Sequence, residues 1–211
     1  MPAKKAKIIA VAGGSGSGKT TLVNRLRAQV GESDLLVLQM DHYYSDLSGL
    51  SQTERDRCNF DHPDALDRNL MVDQLRRLAA GETVARPNYD FSTHTRKPEA
   101  TTISSRPVIV FDGILALHFP EVCELIDLGI YVDVDDDVRF IRRLKRDITE
   151  RGRTVDSVIS QYMTSVKPMH DLHVATQKHV ADIIVSWMDY NDSAVAMVAA
   201  LTRTWLPPKN G

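Results

Sequence analysis

Three groups of residues in this chain could act together on a phosphate. The first is Gly13-Gly14-Ser15-Gly16-Ser17-Gly18-Lys19-Thr20-Thr21, a G-x-x-x-x-G-K-T pattern followed by a second threonine. Glycines permit backbone conformations that a Cβ would block, so successive N–H groups can turn inward toward phosphate oxygens. A helix starting there adds the positive end of its dipole and its unsatisfied donors. Lys19 would reach the β- and γ-phosphates, and the Thr20 hydroxyl would ligate Mg²⁺. The second group is a pair of carboxylates, Asp41 and Asp112, each closing an apolar run. The third is a set of arginines, Arg139, Arg142, Arg143 and Arg146, spaced three and four apart, with Arg151 and Arg153 just beyond. Phosphoryl transfer spreads negative charge over the moving group, and arginines aimed at it answer that charge.

The flanking elements are those such a site requires. Ile8 to Ala12 is an apolar run before the glycines, and Lys19 to Val30 reads as the helix after them, the context of a phosphate-binding P-loop. Leu35 to Met40 predicts a second strand ending at Asp41. Residues 42 to 62 read as polar and irregular, and one helix is expected from Pro63 to Gly81. Thr83 to Asp90 and Ala100 to Ser104 predict a hairpin excursion. Pro107 to Phe111, Leu128 to Val134 and Ile183 to Val185 complete the strands. Helices are expected over Val138 to Glu150, capped by Asp135-Asp136-Asp137, then Val155 to Val166 stopping before Pro168, and Ser193 to Leu206. Alternating strands and helices imply an α/β fold with a mainly parallel sheet covered on both faces. In such a sheet the ligand site lies beyond the carboxyl ends of the strands, so the glycine loop, Asp41 and Asp112 share one rim. On the helix after the fourth strand the arginines oppose Phe140, Ile141, Leu144 and Ile148, which reads as an active-site lid over that rim.

With 211 residues, 43% of them apolar, the length suits one domain spanning 1–211. A net charge of -2 gives no basic field that would suggest nucleic acid. Cys58 and Cys123 lie far apart in no metal-type spacing and read as free thiols of a reducing compartment. No apolar run reaches the length of a bilayer span, and the basic start precedes too few apolar residues for a signal peptide, so a cytoplasmic protein is expected.

The ordered set of motifs resembles the uridine kinase (uridine–cytidine kinase) family of P-loop kinases from Ile8 to about Val185. Its marks are GGSGSGKTT (13–21), DHYY (41–44), NFDHPDALD (59–67), NYDFSTHTR (88–96) and VIVFDGIL (108–115). FIRRLKRDITERGR (140–153), QYMTSVKPMH (161–170) and KHVADIIV (178–185) complete them. The resemblance implies transfer of the γ-phosphate of ATP or GTP to the 5′-hydroxyl of uridine or cytidine, with Mg²⁺. It implies Asp41 as general base, with Asp61 and Arg143 on the ribose 2′- and 3′-hydroxyls. Tyr44, Phe60, Tyr89, His94, Arg153 and Gln161 would shape the pyrimidine pocket, and Arg146 and Arg151 would close over the phosphates. Thr20 and Asp112 would hold the metal, and Gly13 to Thr21 the triphosphate. It further implies a hairpin over the nucleoside site at 83–106, a lid at 139–168, and a homo-oligomer, tetrameric by family habit. The partners implied are a nucleoside and a nucleoside triphosphate, with no nucleic acid and no membrane.

Read without the family, His94 is an exposed turn residue, Tyr44 and Phe60 pack a core, and Gln161 decorates a helix surface. Three departures stand out. Asp112 replaces the family's usual glutamate, favouring a water bridge to the metal. Ala175-Thr176-Gln177-Lys178 departs from P-T-K, and Ser186 to Asn191 lacks the family's proline and glycines. Two other readings remain at this stage. One is a sister kinase for another small alcohol, such as a sugar phosphate or pantothenate, for which Arg86, Arg96 and Lys97 could supply charge. The other is a nucleotide-gated binding module; it lacks the N-K-x-D guanine reader.

Overall fold

The computed structural model describes residues 6–208. Five strands form one parallel sheet in the order β2-β7-β1-β8-β9: β1 (Lys7–Ala12), β2 (Leu35–Gln39), β7 (Val108–Asp112), β8 (Leu128–Asp133) and β9 (Ile183–Ser186). Successive side chains of a strand point to opposite faces, and both faces here are dry. Ile8, Ala10, Ala12, Ile109 and Phe111 therefore enter one core, while Ile9, Val11, Val108 and Val110 enter the other. Helix α1 (Lys19–Val30) and helix α8 (Asp192–Thr204) cover the second face; α3 (Arg68–Ala79) and the short α4 (Pro120–Cys123) cover the first. The expected α/β fold with a mainly parallel sheet is the fold observed. Among the described residues no helix is long and apolar enough to cross a membrane.

The departures from expectation are local. Asp41 does not end β2; it lies in a 3₁₀ turn, Met40–Tyr43, that follows it. The polar stretch after it holds one short helix, α2 (Gln52–Arg55), closed by a Ser51/Glu54 capping box. The helix expected from Pro63 to Gly81 is broken. A 3₁₀ turn, Pro63–Ala65, gives way to Leu66, which bridges to Tyr44. Asp67 then starts α3 afresh by accepting the Leu70 N–H at 3.1 Å. Pro87 interrupts the run from Thr83, because proline has no N–H to give a ladder. The excursion is thus two small ladders, β3 (Thr83–Arg86) with β6 (Thr101–Ser104), and β4 (Tyr89–Asp90) with β5 (Thr95–Arg96).

The lid segment differs more. Helix α5 runs Asp136–Arg151, two residues earlier than expected, and Asp135 caps it without a side-chain bond. Helix α6 (Val155–Gln161) does not stop before Pro168. It continues through a π-helical stretch, Tyr162–Val166, into α7 (Lys167–Met169) and a second π stretch, His170–Val174. Pro168 falls in the first turn of α7, where a missing N–H costs least. The wider preceding turn, with the Lys167 N–H bonded to the Tyr162 carbonyl, lets the chain pass through.

Candidate active site

The glycine loop spans the gap between β1 and α1, and its conformation demands glycine. Gly16 and Gly18 have φ of 82° and 91°, a region that strains residues with a Cβ. Gly18 caps α1 with no side-chain bond, and no acid occupies the helix's first turn, so its N–H groups and dipole stay available to an anion. The Lys19 ammonium donates to the carbonyls of Gly13 at 2.9 Å and Gly14 at 3.1 Å. Burial pulls its pKa below the usual lysine value, Arg146 and Arg139 push the same way, and Asp112 and Asp41 oppose them. Ser17 is fully buried, with its Oγ unpartnered.

Asp112, at the end of β7, is buried beside this loop. Burial raises its pKa, against the pull of Lys19 and the Thr20 hydroxyl. Thr20 donates to Oδ2 at 3.4 Å, and Oδ1 is buried with no partner. A hydroxyl and an orphaned carboxylate oxygen make a hard oxygen donor pair that suits Mg²⁺, with phosphates and water filling the other positions. Asp41 completes the rim. Burial and the neighbouring Asp112 raise its pKa to about 6, Asp61 adds to the rise, and Lys19 and Arg151 oppose it. The carboxylate is therefore within electrostatic reach of both the loop lysine and Asp61.

The residues expected to line a nucleoside pocket form two contacting groups, one aromatic and one of arginines with Gln161. The Tyr44 ring meets Phe60 edge-on at 5.4 Å and Tyr89 at 5.3 Å. Phe60 stacks on His94 at 4.4 Å with 19° between planes, so His94, at φ 55°, is no free turn residue. Tyr44 is also a core residue, as its type suggested, and Phe60 packs against that core. The Tyr89 hydroxyl is buried and unpartnered. Burial raises the Asp61 pKa, opposed first by Arg143. Gln161 is no ordinary surface glutamine: its Oε1 accepts from Arg143 Nη2 at 2.9 Å and from Arg153 Nη1 at 2.5 Å.

On α5 Arg139 and Arg143 are buried while Ile141 and Ile148 are exposed, and Phe140 packs on Tyr162. Arg143 reaches the glycine loop, donating from Nη1 to Ser15 Oγ at 2.9 Å. Arg139, buried against the same loop, donates to the Val134 carbonyl at 3.2 Å and pairs with Asp136. Arg146 and Arg151 turn their guanidiniums to Asp147, which is fully buried. Asp147 was not singled out among the sequence candidates, although Arg143, Asp147 and Arg151 share an i, i+4 spacing that places them on one helix face.

A cavity of about 360 Å³ opens beside Gly18 and the start of α1. Gly18, Thr21, Arg142, Trp187, Met188, Asp189 and Tyr190 line it. Buried Trp187 lies so close to Gly18 that a Cβ there would come within 2.5 Å of its ring. Arg142 bonds the Trp187 carbonyl at 3.2 Å and that of Met188 at 2.5 Å. The divergent segment after β9 thus builds a wall of the loop, a role that its departure from the family pattern had hidden.

A family model described as Phosphoribulokinase / Uridine kinase family matches residues 8–194. The chain belongs to that family. The kinase is 45% identical over 197 residues to a uridine kinase of Clostridium botulinum, covering 93% of this chain and 96% of that one. It is 42% identical over 209 residues to a uridine kinase of Bacillus cereus, covering 99% of each. Among solved structures, phosphoribulokinase from Rhodobacter spheroides superposes with a TM-score of 0.64 at 18% identity, over 87% of this chain and 71% of the other. That likeness is one of fold alone.

Proposed function

We propose that this kinase transfers the γ-phosphate of ATP or GTP to the 5′-hydroxyl of uridine or cytidine, giving UMP or CMP in pyrimidine salvage. The observation that carries the reading is the position of buried Asp41, within electrostatic reach of Lys19 and Asp112 and also of Asp61 and Tyr44. Relatives named uridine kinase, 42% and 45% identical over nearly the whole chain, support the choice of acceptor.

Asp41 takes the proton of the 5′-hydroxyl as that oxygen bonds to the γ-phosphorus; the bond to the β–γ bridging oxygen breaks and the nucleoside diphosphate leaves. A carboxylate raised to about 6 is ionised at neutral pH yet more basic than an ordinary one, as a general base should be. Lys19, Arg146 and Arg151 meet the charge on the transferring group, and the loop amides of Gly13 to Thr21 hold the rest of the triphosphate. Thr20 and Asp112 would hold Mg²⁺, which when bound neutralises the β- and γ-oxygens. Asp61 accepts from the 2′- and 3′-hydroxyls, with Arg143 beside it. Tyr44, Phe60 and Tyr89 offer flat faces to the base, and His94, Arg153 and Gln161 read its polar edges. The cavity beside Trp187 takes the donor's base.

A phosphorylated acceptor is disfavoured, since Arg96 is already neutralised by Asp67 and Arg86 is held by a neighbouring side chain. Arg96 bonds Asp67 and the Tyr44 carbonyl, and Arg86 bonds Asn88. The chain works as one kinase domain, with 83–106 closing the nucleoside end and 139–168 as the lid. It works in the cytoplasm, where the free Cys58 and Cys123 are at home, and as a homo-oligomer. A coupled assay with Mg²⁺, ATP or GTP, and uridine, cytidine, adenosine, ribulose 5-phosphate or pantothenate tests the reading. Turnover confined to the two pyrimidine nucleosides is expected; slow hydrolysis independent of acceptor would overturn it.

A further inference from the structure

We infer that Asp147 is a positioning residue that joins the phosphate end of the site to the nucleoside end. The inference rests on the roles proposed above for the four arginines around it. Asp147 lies on α5 with no solvent exposure. Its two carboxylate oxygens divide the arginines by role. Oδ1 accepts from Arg146 Nε at 2.9 Å and Nη2 at 2.7 Å, and lies 3.7 Å from Arg151 Nε. Oδ2 lies 3.4 Å from Arg153 Nη1 and 3.6 Å from Arg143 Nε. Arg146 and Arg151 are the pair assigned to the phosphates; Arg143 and Arg153 are the pair assigned to the nucleoside.

The helix sets up this arrangement. Arg143 and Arg151 stand one turn before and one turn after Asp147, so their side chains share its face. The turn after α5 brings Arg153 back, and its N–H bonds the Asp147 carbonyl at 3.1 Å. Gln161 then links the two nucleoside-side arginines. Four guanidiniums crowded together repel one another, and a single buried carboxylate with charged donors on both oxygens holds them in one geometry. Arg143 is the buried member of the four at 7% exposure, while the Arg146, Arg151 and Arg153 side chains are 32%, 48% and 29% exposed.

The test is a kinetic split on the full-length enzyme. Asp147→Asn keeps the shape and removes the charge. It should lower kcat about tenfold or more and raise the uridine KM about fivefold or more together, with the Kd of a non-hydrolysable ATP analogue changed less than about threefold. Arg146→Ala should act mainly on kcat, and Arg153→Ala mainly on the uridine KM. Asp147→Glu should recover part of both. A merely structural Asp147 would lower melting temperature and active fraction while leaving KM alone. If Asp147→Asn does not fold, the Arg146→Ala/Arg153→Ala double variant serves: losses in kcat/KM that are not additive are expected, because both residues share one anchor. Additive losses, or an Asp147→Asn enzyme with an unchanged uridine KM, would overturn the inference. Absence of uridine turnover in the wild type would sink the substrate reading alone, and the same split would then be read with the acceptor that the enzyme does use.

Discussion

The donor end and the acceptor end of this site are built in opposite ways. The donor end is built around one continuous piece of chain, β1, the glycine loop and α1, whose backbone amides, Lys19 and Thr20 are joined by Asp112 from β7. The acceptor end is gathered from four separate segments: the turn at 41–44, the stretch at 60–61, the hairpin at 89–94 and the lid from Arg143 to Gln161. A backbone site is fixed by which residues can adopt its dihedrals. A side-chain site is fixed by packing between distant elements, so it can change specificity without disturbing the grip on the phosphate. Asp41 stands where the two meet, and its raised pKa records burial plus the influence of carboxylates from both ends, Asp112 and Asp61.

If the ends are separable in this way, substitutions should separate too. Lys19→Ala should cause the largest loss on the donor side, about 10²- to 10³-fold in kcat, as for removal of a preorganised donor to developing charge. The uridine Kd, measured by calorimetry, should stay near wild type; a matching loss of nucleoside affinity would break the comparison. Asp61→Ala should act in reverse, raising the uridine KM about ten- to hundredfold through lost charge-assisted hydrogen bonds while sparing the ATP KM. An unchanged uridine KM would remove Asp61 from the ribose site.

The two ends also differed in how far the sequence revealed them. The glycine loop was legible because positive φ at Gly16 and Gly18 leaves little choice of residue, and the strands because runs such as Ile8 to Ala12 are apolar on both faces. The ring contacts among Tyr44, Phe60, Tyr89 and His94, and the Arg143–Gln161–Arg153 bonds, join residues that only the family motifs, and not their spacing, had grouped. Local patterns could not show that Leu66 would pair with Tyr44 and split a helix, since that contact depends on a partner 22 residues away. Nor could they show that the chain would carry helical structure through Pro168, where a π stretch held by packing of Tyr162 on Phe140 overrides the local stop signal. Asp147 was hidden because a charged helix face ordinarily points to solvent, and here it points in.

Two smaller effects sharpen the picture. The turnover of uridine, followed as kcat/KM against pH, should fall tenfold per unit as pH drops below about 6 and level off above it. The sign follows from the role: the base must be ionised, and its raised pKa places the loss near 6 instead of near 4. A flat profile down to pH 5 would assign the proton elsewhere. His94→Ala removes the ring stacked on Phe60, worth about 1 kcal/mol, and should raise the uridine KM only about fivefold with kcat unchanged.

The most direct test of the account is Asp41→Asn, measured both for kcat with uridine and for binding of a non-hydrolysable ATP analogue. A kcat lower by about 10²- to 10⁴-fold with analogue affinity within about threefold of wild type is the expected result, because the base is lost and the glycine loop is untouched. Turnover close to wild type would contradict the account, since the carboxylate at the junction of the two ends would then have no part in moving the proton.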